Sequence, residues 1–242
     1  MISIENLKVS YGKNLVLKDL NLTVQSPSIH GLAGLNGSGK TTLLNTIYGM
    51  KEKKSGSVSY GSTSLTKNKI AYLETTNYFY SYITGKEYLM MFRTQNKDFD
   101  IDRWNELFEL PLNRLIENYS TGMKKKLALM GVICLNREII MLDEPFNGVD
   151  LETVQKIKLL LVKLKENNKT IIITSHVLES LFGICDFLSY LNNGIIQFTK
   201  EKKDFGSVEE EIFSVHQERL DNQIKLLIGK NDIESAEKPL PT

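Results

Sequence analysis

The stretch Gly34-Leu35-Asn36-Gly37-Ser38-Gly39-Lys40-Thr41-Thr42 decides the fold of this chain. It matches the pattern G-x-x-x-x-G-K-[ST], in which glycines let the backbone wrap closely around a phosphate group. It follows a short apolar run, Ile29 to Ala33, and opens a helical stretch, Thr41 to Tyr48. Backbone N–H groups and a helix N-terminus carry partial positive charge here, and the Lys40 ammonium adds a full one. The sequence therefore predicts a phosphate-binding loop between a strand and a helix.

The polar residues of this loop have separate predicted tasks. The Thr41 hydroxyl is a candidate ligand for Mg²⁺, and the Thr42 hydroxyl is expected to bond a phosphate oxygen. A glycine-rich turn that precedes a lysine by chance is the alternative, and the strand–loop–helix context argues against it. The other residues predicted to contact the nucleotide phosphates are Asn36, Gly37, Ser38, Gly39 and Lys40.

A second apolar run ends in two carboxylates. Ile139-Ile140-Met141-Leu142 is followed directly by Asp143 and Glu144. In an open α/β sheet, ligands bind outside the carboxyl ends of the strands, so both acids are expected beside the phosphate loop. Asp143 is predicted to hold Mg²⁺ through water, and Glu144 to act as general base on the attacking water. By itself such a run is equally often an ordinary strand end, and its meaning depends on the loop.

His176 follows a third apolar run, Thr170 to Thr174. A core strand that ends there brings the imidazole to the same sheet edge as Lys40 and Glu144, where it is predicted to hydrogen-bond the γ-phosphate. A lone histidine is more often a structural residue, and His30 and His216, which have no such context, are interpreted as structural or exposed.

The remaining pattern indicates one large α/β domain. Residues 1–25 largely alternate apolar and polar positions, which favours antiparallel strands with one solvated face. Residues 82–135 carry apolar side chains at helical spacing and predict a helical insertion. Residues 153–167 predict a crossover helix. After about Gly206 the chain becomes charged and weakly patterned, with a helix expected around residues 208–227.

Composition and charge exclude several classes of protein. The 242 residues are 41% hydrophobic and 24% charged, with a formal net charge of +1, which argues against a dedicated nucleic-acid binder. The N-terminus lacks the pattern of a signal peptide. Leu127 to Leu135 is far shorter than the roughly 20 apolar residues that span a membrane. Lys124 to Lys126 is interpreted as a solvated helix face rather than an anionic-lipid patch, and Cys134 and Cys185 as buried thiols in a reducing cytosol.

Three further motifs complete an ordered set. Tyr11 lies in Val9-Ser10-Tyr11-Gly12, Tyr119-Ser120-Thr121-Gly122-Met123 precedes the acidic strand, and Asn147-Gly148-Val149-Asp150 follows Pro145. With the loop, the acidic pair and His176, this order resembles the nucleotide-binding subunit of an ATP-binding cassette (ABC) transporter. The resemblance covers about residues 1–205 and leaves residues 206–242 as a C-terminal extension of unknown role. Tyr11 alone, as one of ten tyrosines, is also compatible with a packed strand residue.

The resemblance implies a fold and a set of ligands. The implied fold is α/β, a phosphate-loop NTPase (RecA-like) core with an N-terminal antiparallel β subdomain and an inserted α-helical subdomain over about residues 82–135. The implied ligands are ATP and Mg²⁺, with Tyr11 stacked on adenine. Ser120 and Gly122 would complete the site of a second nucleotide-binding subunit in trans, which implies a head-to-tail homodimer or heterodimer.

The chain departs from the family pattern at two places. Thr121 and Met123 stand where the family's signature usually has glycine and glutamine. After Leu73 the family usually places a glutamine that touches Mg²⁺ and the attacking water, and this chain has Glu74 and Thr75 instead. We therefore predict that Glu74 or Thr75 takes over part of that role, with Thr75 as the aligned residue and a further Mg²⁺ contact.

The resemblance leaves several functions open. The first is the ATPase of a transporter, with an exporter favoured, that works through separate transmembrane permease subunits and lies at the inner face of the cell membrane. The alternatives are a non-transport ABC ATPase that serves assembly or regulation, and a weakly hydrolysing regulatory subunit. The aromatic stretch over residues 78–82 is either a docking patch for the permease or packing between the two lobes.

Overall fold

The computed structural model describes residues 1–215 together with 217, 221, 224, 225 and 227. The chain divides into two compact units, Met1–Lys202 and Lys203–Thr242. In the second unit, residues 208–215 are helical. The helix predicted around residues 208–227 therefore lies partly outside the described residues, and His216 lies outside them altogether.

The first unit is an α/β fold that alternates strands and helices along the chain. Its strands are β1 (Ile2–Tyr11), β2 (Asn14–Val24), β3 (Ile29–Ala33), β4 (Ser55–Tyr60), β5 (Thr63–Ser64), β6 (Ile70–Leu73), β7 (Ile139–Asp143), β8 (Thr170–Ser175), β9 (Phe187–Asn192) and β10 (Ile195–Glu201). Its α-helices are α1 (Lys40–Tyr48), α2 (Gly85–Arg93), α3 (Ile101–Phe108), α4 (Thr121–Cys134), α5 (Leu151–Glu166) and α6 (Glu179–Phe182). Two single 3-10 turns, Lys67–Lys69 and Ile116–Asn118, lie between these elements.

The N-terminal strands form the predicted antiparallel sheet. β1 pairs with β2 so that Ile2 lies opposite Val24 and Tyr11 opposite Asn14, and the sheet order is β2-β1-β4-β5. The apolar residues of the alternating pattern, such as Ile4 and Val9, are buried against the core. Because side chains alternate between the two faces of a strand, the polar positions between them face solvent.

The second sheet carries the order β10-β9-β3-β8-β7-β6. β3 is parallel to β8 and β9, β7 is parallel to β6 and β8, and β10 closes the edge antiparallel to β9. Every residue of β3, β7 and β8 is buried, as expected where helices cover both faces of a parallel sheet. The register sets Ala33 opposite Ser175 and Asp143 opposite Thr174, so β7 and β8 deliver polar residues to the edge where β3 ends.

The predicted insertion of an α-helical subdomain is confirmed, since helices α2, α3 and α4 lie between β6 and β7, whereas its bounds of about residues 82–135 stay a prediction. Helix α2 begins at a capping box, in which the Thr84 hydroxyl accepts from the Glu87 backbone N–H and the Glu87 carboxylate accepts from the Thr84 N–H. Helix α2 packs against α4, where the Phe92 ring lies so close to Gly131 that a Cβ there would be 3.1 Å from it. This packing holds α4 at a fixed position over the sheet.

Some sequence predictions are wrong or incomplete. Lys125 is only 5% exposed, so the interpretation of Lys124 to Lys126 as one solvated helix face fails at its middle residue.

The prediction of buried thiols is confirmed, and burial raises the pKa of Cys134 to about 11. None of the helices in the described part of the chain is both long and apolar enough to cross a membrane.

Candidate active site

The loop between β3 and α1 is shaped by glycines that other residues cannot replace. Gly37 and Gly39 have φ values of +80° and +112°, a region that L side chains rarely adopt. A Cβ on Gly39 would also lie 2.8 Å from the Leu17 side chain. Gly39 is the N-cap of α1 and no side chain caps that helix end. The first N–H groups of α1 are therefore available for an anion.

Lys40 lies inside this loop although it is charged. Lys40 is only 7% exposed. Its Nζ donates to the Gly34 carbonyl at 2.7 Å and to the Leu35 carbonyl at 3.3 Å. The same Nζ lies 3.5 Å from Glu144 Oε1. The ammonium thus connects the phosphate loop to the end of β7. This agrees with the expectation that the acids after β7 lie beside the loop.

Asp143 is fully buried at the end of β7 and collects three hydroxyl groups. Its Oδ2 accepts from Thr41 Oγ1 at 2.7 Å and from Thr75 Oγ1 at 2.6 Å, and its Oδ1 accepts from Thr174 Oγ1 at 2.6 Å. Two of these hydroxyls, from Thr41 and Thr75, meet at one carboxylate oxygen. Hard oxygen ligands of this kind are those that Mg²⁺ prefers, so the residues fit the metal that the sequence implied.

Glu144 is held in an unusual backbone conformation. Its φ is +50°, which for a residue other than glycine costs about 1–3 kcal/mol and persists only where the surroundings enforce it. Here its backbone N–H donates to Thr174 Oγ1 at 2.9 Å, and its Oε2 lies 3.0 Å from His176 Nδ1. Because an ionised carboxylate only accepts, the Nδ1 atom carries the hydrogen of that contact. Both interactions fix where the side chain points.

The second oxygen of Glu144 is free to act. Glu144 Oε1 is buried and has no hydrogen-bond partner among the described residues, with Lys40 Nζ nearby at 3.5 Å. A buried acceptor without a donor is rare in proteins and marks a place where a water or ligand completes the bonding. This oxygen belongs to the residue that the sequence predicts to be the general base, and Glu144 lines the same cavity as the phosphate loop.

These groups surround one cavity of about 290 Å³. Its lining includes residues of the phosphate loop, Glu144 of the acidic pair, and His176 after the third predicted strand. The lining residues are Val16, Asn36, Gly37, Gly39, Lys40, Thr41, Thr42, Thr75, Glu144, Asn147 and His176.

Two predicted site residues, Ser38 and Asp143, are buried next to residues that line this cavity but do not line it themselves, and three others lie elsewhere. The lining of that cavity, within the described residues, includes neither Tyr11 nor Ser120 nor Gly122. Tyr11 is 49% exposed, and Lys51 Nζ lies 4.1 Å from the centre of its ring. Ser120 is exposed at the N-cap of α4, where its Oγ accepts from the Met123 N–H at 3.2 Å.

The signature stretch lies beside the loop that follows β7. A Cβ on Gly122 would lie 3.1 Å from the Gly148 carbonyl oxygen. Because Gly122 and Ser120 border the protein surface and not their own cavity, this chain alone does not bring them to its phosphate loop.

Sequence reasoning missed four residues of this region. Val16 and Asn147 line the cavity, Thr174 joins the two acids, and Lys125 donates to the Thr75 carbonyl at 3.2 Å. The sequence carries no signal for Val16, which depends on how the two sheets pack. In the sequence, Thr174 belongs to an apolar run, and Asn147 belongs to the motif that follows Pro145, to which no contact with the nucleotide is assigned.

The fold and this site define a phosphate-loop ATPase. The family described as "ABC transporter" matches residues 17–147, and the chain belongs to that family. It is 31% identical over 242 residues to the ABC transporter ATP-binding protein YtrB of Bacillus subtilis, with 96% of this chain and 82% of that protein covered. It is 32% identical over 206 residues to the bacitracin transport ATP-binding protein BcrA of Enterococcus faecalis, with 80% and 67% covered.

A solved structure has the same fold. It is a dimeric ATP-binding cassette in a post-hydrolysis state with bound ADP and phosphate. It superposes with a TM-score of 0.73 at 21% identity, with 84% of this chain and 99% of that chain covered. This likeness confirms the α/β fold, and membership of the family makes the chain an ATP-binding ATPase.

Proposed function

We propose that this chain is the ATP-hydrolysing subunit of an exporter whose membrane-spanning subunits are separate chains. The observation that carries the proposal is the meeting of Lys40, Glu144 and His176 at one cavity, where Glu144 Oε1 has no hydrogen-bond donor from the described part of the chain. The intact base and the intact phosphate loop favour a site that hydrolyses ATP over one that only binds it. The relative named for bacitracin transport supports a role in transport over a role in assembly.

Nucleotide binding is proposed to use the loop between β3 and α1. The backbone N–H groups around Gly37, Ser38 and Gly39 surround the phosphates, and Lys40 moves from the Gly34 carbonyl to a phosphate oxygen. Thr41, Asp143 and Thr75 would hold Mg²⁺, which when bound neutralises phosphate charge that develops in the reaction. Asn36 and Thr42 complete the phosphate contacts.

Hydrolysis is proposed to run through Glu144. Its Oε1 accepts a proton from water while the water oxygen forms a bond to the γ-phosphorus. The bond from that phosphorus to the oxygen bridging it to ADP breaks, and ADP and phosphate result. His176 orients Glu144 through Oε2 and lies at the cavity where it can also contact the γ-phosphate. Asp143 and Thr174 fix the backbone from which Glu144 projects.

A second nucleotide-binding subunit is proposed to complete each site. Ser120 and Gly122 are at the surface, at the N-terminus of the 14-residue helix α4, and a helix N-terminus favours negative charge. In a two-fold dimer they would reach the γ-phosphate held by the other subunit, and Tyr11 would stack on the adenine. The relative seen as a dimer with ADP and phosphate supports this arrangement.

The permease contact is proposed to lie at the aromatic stretch after β6. Tyr78, Tyr80 and Tyr82 are 84%, 68% and 81% exposed, whereas the Phe79 ring packs 5.0 Å from that of Tyr88. Phe79 therefore fits the interpretation of this stretch as packing, whereas the three tyrosines point outward and fit the interpretation as a docking patch. Exposed aromatic side chains that cluster are typical of a binding surface. Binding there would place the subunit at the inner face of the membrane.

Replacing all three exposed tyrosines by serine is expected to abolish co-purification of a hydrophobic multi-span protein. The ATPase rate of the isolated subunit should stay within about twofold, because the tyrosines lie outside the cavity. Leu159→Ser, at an exposed position on α5, is the matched control and should retain the partner. If wild-type protein instead brings down soluble assembly factors, the transport function is wrong.

Thr75→Val is expected to lower the turnover number by roughly threefold to tenfold and to raise the Mg²⁺ concentration needed for half-maximal rate. Valine keeps the shape but removes the hydroxyl that donates to Asp143 Oδ2. Steady-state ATPase assays over a Mg²⁺ titration measure both effects. Thr76→Val is the control, since Thr76 is exposed next to it. An unchanged rate and Mg²⁺ dependence for Thr75→Val would remove Thr75 from the metal site.

A further inference from the structure

Lys125 is a buried charge within a run of three lysines. Lys124 and Lys126 are partly exposed, whereas Lys125 is 5% exposed. It lies on the same face of α4 as Ala128 and Leu129, which are also buried. Removing an ammonium from water is costly unless neighbouring groups compensate for the lost solvation. The burial of this one lysine therefore needs a partner.

The direct partner of Lys125 is the backbone of Thr75. Lys125 Nζ donates to the Thr75 carbonyl oxygen at 3.2 Å. Among the described residues, no carboxylate forms a salt bridge with it. Burial lowers the pKa of Lys125, and the negative charges of Asp143 and Glu144 act in the opposite direction. The two site carboxylates are thus close enough to attract the ammonium without touching it.

The hydrogen bonds continue from Thr75 to Glu144. The Thr75 hydroxyl donates to Asp143 Oδ2, the Thr174 hydroxyl donates to Asp143 Oδ1, and the Glu144 N–H donates to Thr174 Oγ1. Together with the contact of Lys125, these bonds form an unbroken path from α4 to the base. The same helix is capped by Ser120, which faces the surface proposed to meet the second subunit.

We propose that Lys125 is a positioning residue for ATP hydrolysis, which holds the Thr75 backbone and so couples the helix opened by Ser120 to the carboxylates of Asp143 and Glu144. The inference rests on the proposed function of those two acids. A shift of α4 when the second subunit binds would move Lys125 Nζ and, through Thr75, the hydroxyl on Asp143 Oδ2. Lys125 acts through Thr75 and does not itself touch the nucleotide.

Lys125→Met is expected to lower the turnover number about tenfold while the KM for ATP changes by less than about twofold. Methionine keeps an apolar stem in the buried channel but removes the donor. Backbone amides of residues 74–76 should exchange with deuterium faster in this variant, because the Thr75 carbonyl has lost its partner. Lys124→Met is the matched control and should behave as wild type in both measurements.

Two further variants separate positioning from packing. Lys125→Arg keeps the charge and a donor and is expected to restore turnover to within about threefold of wild type. Lys125→Gln keeps a donor on a shorter stem and should give an intermediate rate, and it serves if Lys125→Met does not fold. A Lys125→Met or Lys125→Gln protein with wild-type turnover and wild-type exchange at residues 74–76 would overturn the inference.

Measurements on wild-type protein and on Glu144→Gln distinguish a failure of this inference from a failure of the proposed function. If wild-type protein hydrolyses ATP and Glu144→Gln does not, the proposed function stands whatever Lys125 does. A loss of turnover in Lys125→Met that Lys125→Arg fails to restore, together with a lowered melting temperature, would assign Lys125 to packing and reject positioning. Wild-type protein without ATPase activity would overturn both.

Discussion

Glu144→Gln is expected to lower the ATPase turnover number by about 10²–10³-fold while ATP binding stays close to wild type. Glutamine occupies nearly the same volume as glutamate, so the side chain should stay next to His176 and Lys40. What is lost is the basic Oε1, which is buried without a hydrogen-bond donor among the described residues and is the atom that we propose takes a proton from water.

The same variant should trap a dimer. Because bound ATP is no longer consumed, two subunits stay closed on it, and a species of twice the subunit mass should elute in size exclusion with ATP and Mg²⁺. Glu138→Gln is the control, since Glu138 is an exposed residue that pairs with Lys69 on the surface. A Glu144→Gln protein as fast as wild type would show that another group is the base.

The sequence predicts the local parts of this site well because they are encoded in contiguous motifs. A glycine loop that opens a helix, and an apolar strand that ends in two acids, each specify their own backbone. Their meeting follows from a general rule, since parallel strands present their carboxyl ends at one sheet edge. Lys40, Asp143, Glu144 and His176 therefore lie together as expected.

The residues that were missed depend on tertiary register and packing. Thr174 becomes a polar link only because β8 pairs with β7 so that it lies opposite Asp143. Lys125 is buried because it lies on the face of α4 that reaches the Thr75 carbonyl. The signal for it was present as helical spacing, since Lys125 is three and four residues before Ala128 and Leu129, but a run of three lysines favoured the solvated interpretation.

The missed hairpin of β9 and β10 had a clearer signal. Its turn contains Asn193 and Gly194, with φ values of +49° and +80°, and this dipeptide is the commonest short-range sign of a hairpin. Gly194 is also required by packing, because a Cβ there would meet the Val16 carbonyl oxygen. Since Val16 lines the cavity, the turn helps to seat the antiparallel sheet next to the phosphate loop.

Lys40→Met is expected to weaken ATP binding by about a hundredfold, which corresponds to about 2.7 kcal/mol, and to abolish measurable hydrolysis. Lys40 is the only lysine or arginine in the lining of the cavity as far as the chain is described. In the structure it is bound to the Gly34 carbonyl, so the loop is already shaped around it before nucleotide arrives.

The loss of Lys40 should act on binding more than on folding. Methionine fills the same buried channel, but it leaves Glu144 Oε1 facing the cavity without a cation, and this negative charge then repels the phosphates. Binding of a fluorescent ATP analogue and the melting temperature of the same samples separate the two effects. Lys18→Met, at an exposed site on β2, should change neither. Wild-type ATP affinity in Lys40→Met would mean that backbone N–H groups alone hold the phosphates. A large drop in melting temperature would mean that Lys40 contributes mainly to the stability of the fold.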